Sequence, residues 1–282
     1  MKKTSTFFFS IVPFLLAMGI QYIAVFFLMF LSAIFMFVVA PKLTGNSYVY
    51  DDLMTLWMDM DFNAIVMIIF SVSCSAIFAL WYYKSCGGNF LPNVKKTFHP
   101  LQFLGLILLT PGTQFFTSIL IGVVSTVFPS WLEAYEELME SAGMGNEITI
   151  FMMIYSVLLA PISEELIFRG VTMRIARRAF PFWIANIIQA VLFGAFHMNM
   201  LQGVYAFVLG LILGYICERG GSIYLSIIFH FFFNLWGTTT SELLNSMPEA
   251  VLGMLVIFGT IIGLTAGFIL FIKGTRLTKR NG

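Results

Sequence analysis

The chain has 282 residues, 59% of them hydrophobic and 10% charged, with 15 Lys and Arg against 14 Asp and Glu. A net charge of +1 excludes a nucleic-acid-binding surface. A mean hydropathy of +0.92 excludes both a disordered chain and a soluble globule, whose surface must carry enough polar atoms to face water.

The solvent for most of this chain is therefore lipid. There the backbone must satisfy its own polar groups, so apolar runs of about 20 residues read as helices. The predicted fold is all-α: a polytopic membrane bundle of about eight transmembrane helices, with 1–282 forming a single membrane domain. The spans fall near 14–40, 62–83, 101–128, 148–170, 182–199, 201–217, 222–237 and 249–273. The first apolar run starts at Phe7, and Pro13 is expected to separate an interfacial turn from the span proper. Lys2 and Lys3 before that run suggest a signal peptide, but it is too long and lacks a small-residue cleavage site, so it reads as a retained span. On span six, Gly203, Gly210 and Gly214 predict a close helix contact. Cys74, Cys86 and Cys217 show no metal-like spacing and no disulfide framework.

Charge tests the topology independently. With eight crossings and both termini cytoplasmic, every basic residue except Lys42 lies at or toward the inside: Lys2, Lys3, Lys84, Lys95, Lys96, Arg169, Arg174, Arg177, Arg178, Arg219, Lys273, Arg276, Lys279 and Arg280. The outer loops collect Asp51, Asp52, Asp59, Asp61, Glu133, Glu136, Glu137, Glu140, Glu147, Glu242 and Glu249. One crossing more or fewer scrambles this sorting.

Few ionisable residues remain within the spans: Glu164, Glu165, His197 and His230, with Arg169 near the inner edge. An Asp, Lys or Arg at a helix centre costs about 2.5–3.5 kcal/mol on insertion scales, so such groups need a partner or a task. Glu165 and Arg169, four apart on one helical face, are expected to pair. Glu164, rotated by about 100°, is left outside that pair. The hairpin between spans four and five turns near Phe180 and Pro181, which puts Glu164 and His197 at one level, roughly 24 Å from the tip. His230 and Asn234 share a face of span seven. Three helices thus aim a carboxylate, two imidazoles and a carboxamide at one buried point, a pattern that marks a functional site.

A carboxylate base with imidazole and amide donors suits hydrolysis of an amide. No HExxH helix, no aspartate within a span and no G-x-S-x-G elbow is present. Glu164, His197 and His230 also form a zinc-type ligand set, and spacing alone does not decide between metal and no metal. A non-catalytic immunity protein that binds a peptide is the alternative from another class. A proton-coupled transporter ranks lower, because no inverted repeat is visible.

"EELIFRG" from Glu164 to Gly170, "FGAFH" from Phe193 to His197 and "HFFFN" from His230 to Asn234 occur in order. This resembles the CAAX-processing and bacteriocin-processing (CPBP, abortive-infection) family of intramembrane proteases, whose pattern is EExxxR, FxxxH and HxxxN or HxxxD. The resemblance covers roughly 150–237, within an expected catalytic core at 148–237. It implies that Glu164 activates water with help from His197, and that His230 and Asn234 stabilise the oxyanion. Glu165, Arg169 and Phe193 support the site. It implies peptide or protein substrates, a bilayer setting and no nucleic-acid partner. Bacteriocin immunity, peptide maturation and signalling are roles of the bacterial relatives that the short loops suggest. No cofactor is favoured, zinc being the alternative. The expected location is a bacterial cell membrane, with the active-site cavity toward the cytoplasm.

Overall fold

The computed structural model describes residues 3–39, 42, 62–88, 98–141 and 148–280. Lys2, Lys95, Lys96, Asp51, Asp52, Asp59, Asp61 and Glu147, placed above by charge sorting, lie outside the described residues. Among the described residues the main helices in chain order are α1 (Lys3–Ile34, continuing into a π-helical turn at Phe35–Val39), α2 (Phe62–Ser85), α3 (Pro100–Val127), α4 (Pro129–Ser141) and α5 (Ile150–Ala176). They continue as α6 (Phe182–Phe196), α7 (Met200–Gly220), α8 (Ile223–Thr239), α9 (Ser241–Asn245) and α10 (Glu249–Arg280). There is no strand among the described residues. The chain is an all-α, multi-pass membrane bundle.

Each predicted span corresponds to one apolar helix. Six of the eight are long and apolar enough to cross a bilayer; α6, with 15 residues, and α8, with 17, are shorter. At 1.5 Å per residue α6 reaches about 22 Å, less than the roughly 30 Å of a hydrocarbon core. Two local expectations change. α1 runs unbroken through Pro13, which is buried inside it, so no interfacial turn separates the first residues from the span. Neighbouring helices hold such a proline in a membrane helix. The fifth span ends at Phe196 rather than 199, because Met198 takes a left-handed conformation (φ 54°) and reverses the chain. Asn199 then caps α7 by accepting from the Gln202 N–H at 3.0 Å.

Small residues set the packing. α3 and α10 lie close enough that a Cβ on Gly112 would come within 2.6 Å of the Leu264 backbone. In the α6–α7 hairpin a Cβ on Gly194 would stand 2.6 Å from the Gly203 carbonyl oxygen, and one on Gly210 3.1 Å from Ala190. Gly203, Gly210 and Gly214 thus form the close contact expected of them. At the centre, Phe168, Phe193, Phe229, Leu213 and Ile167 are fully buried.

Charge segregates along the bundle. Exposed Lys84, Arg174, Arg177, Arg178, Arg219, Lys273 and Arg276 cluster with the α5–α6 tip and the ends of α2, α7 and α10. There Arg177 pairs with Glu218 at 3.0 Å, and the Arg174 guanidinium lies over the Tyr82 ring at 5.5 Å. The opposite end carries α4, an amphipathic helix absent from the spans expected above, with Glu133, Glu136, Glu137 and Glu140 exposed.

Candidate active site

Helix α5 is not a uniform α-helix. Residues 155–159 and 166–173 wind as π-helix on either side of the α-helical Ala160–Glu165. Wide turns of this kind re-aim side chains and are frequent at functional sites. Here they bracket the two glutamates. Both carboxylates reach one imidazole on α8: Glu165 Oε1 lies 3.0 Å from His230 Nδ1, and Glu164 Oε2 lies 3.7 Å from His230 Nε2.

Glu165 also accepts from Arg169 Nη1 at 2.8 Å, with neither side chain exposed to solvent. The expected Glu165–Arg169 pair is therefore present and fully buried. Arg169 has two further supports. Its Nη2 donates to the Gly210 carbonyl at 3.1 Å, and its guanidinium stacks on Phe193 with Cζ 4.5 Å from the ring centroid. Phe193 in turn stands edge-on to His197 and His230, at centroid distances of 5.0 and 5.8 Å. The same Gly210 carbonyl accepts from Gln189 Nε2 at 2.9 Å, and Gln189 donates to Asn186 Oδ1 at 2.7 Å. Gln189 and Asn186 were missed in the sequence. Their signal was two carboxamides on one face of an otherwise apolar helix.

Hydrogen bonding fixes which nitrogen each histidine shows to the site. Glu165, the carboxylate partner of Arg169, accepts in this contact, so His230 Nδ1 carries the proton in that bond. His230 Nε2 is then the nitrogen turned toward Glu164. His197 Nδ1 lies 2.9 Å from the Phe193 carbonyl, which also only accepts, so its Nε2 is free to act as a base. Asn234 Nδ2 donates to the Ser156 carbonyl at 2.8 Å, inside the first π-helical stretch of α5. One N–H of that amide remains for other work.

Glu164, His197, His230 and Asn234 all line one cavity of about 1200 Å³. The structure brings together the four residues singled out in the sequence, while Glu165 and Arg169 sit behind it. Tyr155, Ser156, Gln114, Gln202 and Tyr205 add polar groups that the sequence analysis did not single out. Among the described residues, no three of His, Cys, Asp and Glu are disposed to hold a metal ion. The zinc alternative at Glu164, His197 and His230 thus finds no ready-made ligand cage in this arrangement.

The cavity extends in one direction along the bundle. From Glu164 and His230 it runs past Asn234 and Thr238 to Asn63, Ser141, Thr239, Ser241 and Asn245, which are exposed. That is the end carrying α4, opposite the arginine-rich tip. The exposed end of the cavity is thus the one opposite the basic end that the sequence analysis expects in the cytoplasm.

Residues 146–236 match the family model for type II CAAX prenyl endopeptidase Rce1-like proteins. No curated protein and no solved structure matches the chain.

Proposed function

We propose that the chain is an intramembrane endopeptidase of the CPBP type whose base is Glu164, a reading supported by the match of residues 146–236 to the type II CAAX prenyl endopeptidase Rce1-like family model. It would hydrolyse a peptide bond in a peptide or membrane-associated protein. The observation that carries this reading is the cavity itself. One carboxylate, two imidazoles and one carboxamide line a space large enough for an extended peptide segment.

The hydrogen bonds around the cavity support one role for each residue. Glu164, only 7% exposed and outside the Arg169 pair, takes the proton of the attacking water. His197, with Nε2 unprotonated, accepts from the same water. Asn234 offers its remaining N–H to the oxyanion. His230, anchored through Nδ1 by Glu165, turns Nε2 toward the same side of the cavity and holds its ring beside the developing oxyanion. Collapse of the tetrahedral intermediate breaks the C–N bond, and protonated Glu164 returns its proton to the leaving amine.

The test uses purified protein in detergent and a library of quenched fluorescent peptides. The wild type cleaves members of the library, Glu164→Gln cleaves none, and chelation by EDTA leaves the wild-type rate unchanged. Cleavage at the normal rate by Glu164→Gln overturns the mechanism. A peptide that binds with equal affinity to both forms and is never cut would instead mark a sequestering immunity protein.

A further inference from the structure

We infer that the cavity is reached from the extracytoplasmic side, so that the substrate is a peptide segment presented outside the cytoplasm. What happens to that segment rests on the peptidase reading; the access route does not.

The cavity opens at one end of the bundle. Its deep end is bounded by Glu164 and His230, 7% and 2% exposed. From His230, α8 continues for nine residues to Thr239, a rise of about 13 Å, and cavity-lining residues follow it to exposed Thr239, Ser241 and Asn245. In the other direction, α5 goes from Glu164 to Ala176 through a buried stretch in which Leu166 to Met173 are all covered. Ile223, Leu225 and Phe229 close the same side from α8. No residue of the α5–α6 tip lines the cavity.

The break between α6 and α7 points the same way. Irregular backbone at membrane depth is tolerated where it is buried in protein or lines a water-filled space. The short helix α6 stops at His197, and Met198 and His197 both line the cavity. Asn199 donates to the Ala134 carbonyl of α4 at 3.3 Å, and Asn63 donates to the Ser141 carbonyl at 2.7 Å. Tyr135 of α4 packs edge-on against Tyr205 of α7, and with Leu138 and Met139 it forms the wall of the mouth. α4 is thus tied to two neighbouring helices as the rim past which a substrate moves.

Charge labels the side of the membrane on which the mouth lies. The exposed charges of α4 are glutamates, while exposed Lys84, Arg174, Arg177, Arg178, Arg219, Lys273 and Arg276 sit at the other end. Cytoplasmic segments carry the Lys and Arg excess, so the arginine-rich tip lies inside and the rim outside.

The experiment is accessibility to a membrane-impermeant maleimide in expressing cells. Ser241→Cys reports on the mouth, Asn245→Cys is a second position there, and Arg178→Cys reports on the tip. The unsubstituted chain gives the background from Cys74, Cys86 and Cys217. The expected result is labelling of Ser241→Cys and Asn245→Cys in intact cells, with Arg178→Cys labelled only after permeabilisation. The reverse pattern, with the tip labelled in intact cells and the mouth only after permeabilisation, overturns the inference. The readout needs no turnover, so its failure is distinct from cleavage by Glu164→Gln, which would remove the peptidase reading and leave the access route standing.

Discussion

His230 turns Nδ1 to Glu165, at 3.0 Å, and leaves Nε2 3.7 Å from Glu164. One imidazole therefore stands between two adjacent carboxylates that do different work. Glu165 is spent on Arg169 and on holding the ring, whereas Glu164 faces the cavity.

Removing Glu165 should unfold the site rather than merely slow it. Glu165→Ala leaves Arg169, fully buried, without its carboxylate. Breaking a buried pair from one side costs about 3–5 kcal/mol. The expected outcome is a sharply lower thermal midpoint in detergent and poor yield. A well-expressed, normally stable and inactive Glu165→Ala protein would move Glu165 into the reaction itself.

Asn234→Ala should separate turnover from binding. It removes the one amide N–H left over from the bond to Ser156. Loss of a single oxyanion donor lowers kcat by about 10²–10³-fold. KM should change little, since the ground-state carbonyl makes the weaker contact. An equal rise in KM at constant kcat would place Asn234 in ground-state binding instead.

Gly194→Ala tests the hairpin. The new Cβ would lie 2.6 Å from a backbone oxygen of α7, so the backbone must move. Overpacking of this kind costs about 1–3 kcal/mol. The movement also displaces Phe193 and His197, which flank the position. Lower stability together with lower activity is expected. An unchanged thermal midpoint would show that α6 and α7 stand further apart than described.

Met198→Gly should act in the opposite direction. A left-handed conformation costs a residue with a Cβ about 1–2 kcal/mol, and glycine avoids it. Part of that gain is lost to the freer unfolded chain. A modest rise in thermal midpoint is expected, with activity retained. A fall would mean that the Met198 side chain contributes more through packing than its backbone costs.

Local chemistry determined what a single helix can show by itself. Hydropathy located all eight apolar helices, because transfer into lipid depends on each run's own composition. The four-residue spacing of Glu165 and Arg169 was enough to foresee their pair. The three motifs picked out the residues that line the cavity, since a titratable group in an oily helix stands out from its neighbours. The amphipathic α4 escaped this reading because its glutamates lower its mean hydropathy.

Only the tertiary structure decided what depends on how helices cross. The choice of Glu165 over Glu164 as the partner of His230 Nδ1 follows from the π-helical turns of α5 and its antiparallel contact with α8. Periodicity at 3.6 residues per turn does not contain that information. Gln189 and Asn186 acquired a purpose once α7 brought the Gly210 carbonyl against Arg169. The direction of the cavity was likewise hidden: charge can label the two ends of a bundle, but packing decides which end stays open.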